Sequence, residues 1–81
     1  MLGTDQTAAT AERQLEDQLR TTVRALEAFQ RRLTTPEHVH IIHVAANASA
    51  ALGDGDPWRI ERSLEEMNDA AAILARAAER D

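Results

Sequence analysis

Three histidines within six residues are the side chains of this sequence that most suggest metal chemistry. His40 and His43 are three residues apart and share a face of any helix, whereas His38 lies well round the helix from both. A zinc site needs three or four convergent ligands, and no carboxylate converges on this pair. We therefore interpret the histidines as the polar edge of a helix and expect neither a metal nor a cofactor.

Two serines and one glycine-rich turn are the remaining candidates for catalytic chemistry. A serine nucleophile needs a base and an orienting acid on a rigid scaffold, but Ser49 and Ser63 fall in the middle of predicted helices. The turn over residues 53–56 contains two aspartates, which would repel a phosphate. The aspartates also lack the spacing of a calcium-binding loop. The chain is therefore predicted not to be an enzyme.

The composition restricts the classes of partner. The chain has 81 residues, no cysteine and a formal net charge of −5, and all nine of its basic residues are arginine. This length accommodates one domain, which is marginal as an isolated monomer, and the acidic balance disfavours nucleic acid. The longest uncharged segment, 38–53, is too short and polar to span a bilayer, and the N-terminus has no secretory signal pattern. We therefore expect a cytoplasmic protein without nucleic-acid or membrane partners, and the arginine- and alanine-rich usage suggests a bacterial source.

Apolar residues recur at alternating steps of four and three in three segments, which predicts three amphipathic helices, over residues 10–33, 36–52 and 57–79. The predicted core stripes are Leu15, Leu19, Thr22, Leu26, Phe29 and Leu33; Ile41, Ala45, Ala48 and Leu52; and Ile60, Leu64, Met67, Ala71, Leu74 and Ala78. Val23 widens the first stripe, Ile42 and Val44 lie on either side of the second, and Ala70 and Ile73 broaden the third. Residues 1–9 lack such a stripe and are predicted to be disordered or frayed, which leaves residues 10–81 as the single domain.

Two short turns separate the predicted helices. Thr35 is predicted to cap the second helix, with Pro36 at its first position, and Gly53 to end it. Asp56 is predicted to cap the third helix, which starts at Pro57. Loops this short make consecutive helices antiparallel neighbours. The predicted fold is an all-α, three-helix antiparallel bundle with a longer, partly projecting first helix.

Charged residues occupy the other faces of the first helix. Glu16 precedes Arg20 by four residues, and Glu27 precedes Arg31 by four, which is the order that favours an ion pair along one helix. Each pair is expected to stabilise that helix by about 0.2–0.5 kcal/mol.

Five modest motifs follow one another along most of the chain. They are Asp17-Gln18-Leu19, the turn from Leu33 to Pro36, Ala51-Leu52, the turn from Gly53 to Asp56, and Ile60-Glu61 followed by Met67 and Leu74. In order and spacing, from Asp17 to Glu79, they resemble the C-terminal α-helical lid of the substrate-binding domain in Hsp70-type chaperones, the DnaK family.

The resemblance implies a lid that covers an apolar peptide on a neighbouring domain and slows its release by shifting between docked and undocked populations. The implied partner is the peptide-binding β-domain of a parent chaperone, or an unfolded-protein substrate. The resemblance makes Asp17 the latch residue; one turn on, where the family commonly has a histidine, this chain has Thr21. On this interpretation Leu15 and Leu19 lie exposed on a projecting part of the first helix, as docking residues.

A second interpretation of the same pattern is a self-associating helical adaptor, or a protein-interaction module without catalysis. It predicts a homodimer through the first helix, with Leu15 and Leu19 in the interface. Trp58 has two interpretations: a core residue that closes one end of the bundle, which we favour, or an exposed anchor for a partner. The candidate docking residues are Leu15, Asp17, Leu19 and Trp58.

Overall fold

The structure is a computed structural model that describes the backbone of residues 2–80 and the side chains of residues 9–80. Met1 and Asp81, at the outer ends of the predicted ranges 1–9 and 10–81, lie outside the described residues. Three α-helices follow in order, α1 (Leu2–Phe29), α2 (Thr35–Asp54) and α3 (Pro57–Glu79), and a 3-10 turn (Gln30–Arg32) extends α1. The described residues contain no strand, and the helices pack on one another, so the predicted all-α three-helix bundle is confirmed.

Two hydrogen bonds show how α1 lies against α3. Gln18 Nε2 donates to Asn68 Oδ1 at 3.2 Å, and Arg32 Nη1 donates to the Ala78 carbonyl at 2.8 Å. The partners are 50 and 46 residues apart, so the two helices are parallel and Pro57 lies level with residues 7–11 of α1. The first turns of α1 therefore project past α3, as predicted, in a bundle that measures 51 × 19 × 15 Å.

The first helix begins earlier than its apolar stripe predicts. Its backbone is helical from Leu2, whereas the predicted start was residue 10. The predicted fraying of residues 1–9 concerns motion and stays a prediction.

The core lies between the three helices along their length. Leu15, Ile41 and Met67 are its largest fully buried side chains. On α2, Val44, predicted beside the stripe, and Ala51 are buried, whereas Ala45 and Leu52 of the stripe are half-buried. On α3, Ala70, predicted to broaden the stripe, is buried together with Ser63 and Ala77, whereas Ala71 is exposed and Ala78 is half-buried. Each helix packs against two neighbours, so its buried arc is wider than one stripe and centred between both contacts.

The cap of α2 is Thr34 rather than the predicted Thr35. The Glu37 amide donates to Thr34 Oγ1 at 3.3 Å, and the Thr34 amide donates to Glu37 Oε1 at 2.9 Å. This reciprocal pair is a capping box, in which the glutamate three residues on selects the capping threonine. Thr35 is consequently the first helical residue and Pro36 the second.

Gly55, and not the predicted Gly53, ends α2. Its φ of +70° lies in the left-handed region, and its amide donates to the Ala51 carbonyl at 3.0 Å. Gly53 is still helical. The predicted cap of α3 is confirmed, because Asp56 Oδ1 accepts from the Trp58 amide at 3.0 Å and Pro57 is the first helical residue.

Arginines close the other end of the bundle, where α1 and α3 end and α2 begins. Arg80 Nη1 and Nη2 donate to the two carboxylate oxygens of Glu37 at 2.8 and 3.0 Å, and Nη1 also donates to the Arg32 carbonyl at 3.0 Å. The Arg32 side chain returns a bond to the Ala78 carbonyl. All three helices are therefore joined at this end by charge-assisted hydrogen bonds.

Candidate interaction surface

A groove runs between α1 and α2 at the end of the bundle where α2 finishes. Its volume is about 460 Å³, and it is lined by Glu16, Leu19, Arg20, Val23, Arg24, Glu27 and Leu52. We refer to its three apolar residues, Leu19, Val23 and Leu52, as the floor. We refer to its four charged residues, which all come from α1, as the rim. We call this surface the α1–α2 groove.

Exposed apolar side chains occur both in the α1–α2 groove and outside its lining. Among residues 9–80 the exposed large hydrophobic residues are Val23 at 40%, Val39 at 48%, Ile42 at 46% and Trp58 at 83%. Three of these four belong to α1 and α2. Because the helices are antiparallel and Leu52 lies beside Leu19 and Val23, Ile42 is level with residues 29–33 of α1. The apolar surface thus continues from the α1–α2 groove toward the far end of α1.

The charges on the rim form no ion pair with any side chain of residues 9–80. Among the side chains of residues 9–80 two ion pairs form, Arg59 with Asp54 and Arg80 with Glu37. The predicted ion pairs of Glu16 with Arg20 and of Glu27 with Arg31 are therefore wrong for this structure. All four of these side chains are exposed, and water competes effectively for such charges.

Leu15 is a core residue, and its predicted exposure on a projecting strut is wrong. It is 0% exposed and belongs to the same cluster as Ile41 and Met67. The reason is the register of α3, which begins level with residues 7–11 of α1 and so already covers Leu15. Leu19 is half-buried, with one side against the core and the other in the α1–α2 groove.

Asp17 lies on a different surface from Leu19. It is exposed and lines a depression between α1 and α3 together with Gln14, Gln18, Leu64 and Asn68. Thr21, one turn further on, lines a second depression between these helices. The structure therefore separates the candidate latch residue from the apolar floor that Leu19 provides.

Trp58 is exposed, so the favoured interpretation of a core residue closing the bundle is wrong. Asp56 caps the helix through the Trp58 amide, which makes Trp58 the second helical residue. Ile60, two residues later, is buried at 2% exposure. Two residues turn a helix by about 200°, so burying Ile60 directs Trp58 to solvent. The interpretation of Trp58 as an anchor for a partner stays a prediction.

A second apolar groove, the α1–α3 groove, lies on the opposite side of α1. Its volume is about 210 Å³ and its lining consists mostly of small side chains: Thr21, Thr22, Ala25, Phe29, Ala71, Leu74, Ala75 and Ala78. In the separate depression that Asp17 lines, the Oε1 atom of Gln18 is buried without a hydrogen-bond partner among the described residues. Sequence reasoning missed both grooves, although the apolar residues that widen the first two stripes, Val23 and Ile42, were the available signal for the first.

The residues with catalytic potential do not come together. His40 and His43 are exposed, Ser49 is exposed, and Ser63 is buried in α3. Ser63 lines a depression whose other residues are Asn47, Ala50, Ala51, Arg59, Arg62 and Glu66, which offers it no histidine. Among the described side chains, no three histidine, cysteine, aspartate or glutamate residues lie close enough to hold a metal ion.

Two further observations concern the whole chain. Among residues 2–80, none of the helices combines the length and the apolar character needed to cross a bilayer. Comparison of the chain with protein-family models, with curated proteins and with solved structures found no match.

Proposed function

We propose that this chain is a self-associating helical interaction module that acts by docking and has no catalysis of its own. The observation that carries the proposal is the α1–α2 groove. Its apolar floor of Leu19, Val23 and Leu52 is open to solvent, and its rim presents charges of both signs that form no ion pair with the described side chains of the same chain. Apolar floors with charged rims are the arrangement of protein–protein interfaces.

Association is also expected to increase the stability of so small a bundle. A domain of this length buries a limited fraction of its surface and is marginally stable. Covering apolar surface contributes roughly 25 cal/mol per Å², and binding that requires the folded state stabilises that state by mass action. Occupation of the α1–α2 groove therefore supports the fold as well as the interaction.

Sedimentation equilibrium over a wide concentration range tests this proposal. We expect the average mass to rise from the monomer value of 8.9 kDa toward twice that value. The thermal midpoint should rise with concentration in parallel, because association is linked to folding. A monomer at millimolar concentration contradicts the proposal.

A second candidate function is the lid of an Hsp70-type chaperone. It is favoured by the first turns of α1, which project past the start of α3, and by the exposure of Asp17 and Trp58 toward that end of the bundle. The burial of Leu15 speaks against it, because a lid of this kind needs an uncovered apolar strut.

Addition of this chain to an Hsp70-type chaperone from which the lid has been deleted tests the second candidate. A lid should slow the release of a fluorescent apolar peptide from the chaperone, and Asp17→Ala should weaken this effect. Release rates that do not change at saturating concentrations of the chain contradict the lid function and leave self-association unaffected.

A further inference from the structure

We propose that the α1–α2 groove receives a second copy of this chain, with the two α1 helices antiparallel about a twofold axis between Val23 and Arg24. The inference rests on the proposed self-association and adds to it the surface, the orientation and the register. Its evidence is the order of charges along α1, the exposed apolar residues beside them and the lack of intramolecular partners.

The charges along this face of α1 are self-complementary in the antiparallel sense. Glu16, Arg20, Glu27 and Arg31 alternate in sign along the chain. By helical geometry the first three lie within about 40° of one another around α1, and Arg31 follows in the 3-10 turn that extends α1. Glu16 and Arg31 are equally distant from the midpoint between Val23 and Arg24, as are Arg20 and Glu27. In an antiparallel pair each acid therefore faces an arginine, which gives four opposite-charge pairs per dimer, whereas parallel helices in register would place like charges together.

The longer-range charge distribution favours the same orientation. Residues 9–19 of α1 contain three acids and one arginine, a net charge of −2, and residues 20–32 contain four arginines and one glutamate, a net charge of +3. Antiparallel pairing places the acidic half of each α1 helix on the basic half of the other. Complementary potentials of this kind set orientation and suppress other pairings, even for a chain whose total charge of −5 opposes self-association.

The apolar residues of the α1–α2 groove lie close to the proposed twofold axis. Val23 lies next to the twofold axis, so the two copies of Val23 meet near the centre, flanked by Leu19 and Leu52 from each chain. The aliphatic part of Arg24 covers Val23 of the other copy. Ile42, level with residues 29–33 of its own chain, comes level with residues 14–18 of the other.

The α1–α3 groove does not support an equivalent arrangement. Its lining contains alanine, threonine, leucine and phenylalanine and no charged residue. Nothing in that lining specifies a partner or a register. Of these two grooves, the α1–α2 groove is therefore the one whose charge pattern indicates a partner and a register.

Charge reversal tests the register. We compare the wild-type chain with R20E, E27R and the double variant R20E/E27R by sedimentation equilibrium at physiological ionic strength. Each single reversal places like charges opposite one another at two symmetry-related points, so the dimer dissociation constant should rise about tenfold. The double variant restores both pairs and should return to within about threefold of the wild type.

The outcomes separate this inference from the proposed function. A wild-type dimer whose double variant is as weak as the single variants overturns the antiparallel register and leaves self-association standing. A wild-type chain that stays monomeric at all concentrations overturns both.

A matched pair of apolar substitutions tests the surface. Val23→Glu places two carboxylates near the twofold axis and should abolish the dimer, whereas Val39→Glu, at a position of similar exposure on α2 that does not line the α1–α2 groove, should preserve it. Circular dichroism and thermal melts of both variants show that the bundle remains folded. Equal effects of the two substitutions on association contradict the assignment to the α1–α2 groove.

Discussion

Arg80 at the end of α3 binds Glu37 in the first turn of α2 through two parallel hydrogen bonds, of 2.8 and 3.0 Å. The Arg80 guanidinium, followed by the hydrogen bond from the Thr34 amide, lowers the pKa of Glu37 from its ordinary value of 4.5 to about 2. The same pairing raises the pKa of Arg80, chiefly through the hydrogen bond to Glu37. One carboxylate thus serves as part of the helix cap and as the contact between α2 and α3.

The lowered pKa of Glu37 predicts a specific acid dependence of stability. A group whose pKa is depressed on folding stabilises the fold above its unfolded pKa, and this contribution is lost as the pH falls through the folded pKa. The gap in thermal midpoint between the wild type and Glu37→Gln should therefore be constant above about pH 5 and narrow between pH 4.5 and about 2. Glu61→Gln, which removes an exposed carboxylate on α3, is the matched control.

Leucine truncations distinguish the core from its edge. Leu15→Ala and Leu74→Ala should each lower the free energy of unfolding by about 2–5 kcal/mol, because these side chains are 0% and 4% exposed. Leu64→Ala should have a smaller effect, since Leu64 is half-buried. Urea denaturation, at protein concentrations below the dimer dissociation constant, measures the free energy of unfolding of all three variants. A Leu15→Ala variant as stable as the wild type would mean that the projecting-strut interpretation was right after all.

The two glycines at the end of α2 should respond to alanine with opposite signs. Gly55 has a φ of +70°, so Gly55→Ala should destabilise the bundle by about 1–2 kcal/mol. Gly53 is helical and a Cβ there meets no atom within 4 Å, so Gly53→Ala should stabilise by up to about 1 kcal/mol. Denaturation midpoints of the two variants measure the difference, and the reverse order would contradict the observed end of α2.

The capping box at the start of α2 predicts different effects of alanine at two neighbouring threonines. Thr34→Ala removes the side chain that accepts from the Glu37 amide and should cost about 1 kcal/mol. Thr35→Ala changes an exposed first-turn position and should leave stability within about 0.5 kcal/mol of the wild type. Chemical denaturation monitored by circular dichroism measures both, and equal losses would show that the cap is shared.

Salt should weaken the proposed dimer. Its four pairs are solvent-exposed at the rim, and exposed charges are screened as the Debye length falls from about 10 Å at 0.1 M salt to about 3 Å at 1 M. The dimer dissociation constant should therefore rise steadily over this range, while R20E/E27R follows the same trend. Sedimentation at several salt concentrations measures the dimer dissociation constant. A dimer that becomes tighter with salt would instead be stabilised by its apolar floor alone, which would contradict the proposed charge pairs.

Local signals in the sequence located the three helices, although not all of their ends. The four–three spacing located three helices, and the Asp56-Pro57 pair correctly located the start of α3, because caps and amphipathic periods depend on residues close together in the chain. The cap of α2 also has a local signal, because Thr34 with Glu37 three residues later has the capping-box spacing. Thr35, the predicted cap, has His38 at that distance and so lacks the spacing.

The candidate site depended on contacts that the sequence does not contain. Leu15 is buried because α3 starts level with residues 7–11 of α1, and Trp58 is exposed because burying Ile60 directs it outward. Sequence periodicity alone determined which residues share a face of each helix. Only the packing of three helices decided which part of each face stays uncovered, because each buried arc is centred between two neighbours whose relative register is set by long-range contacts.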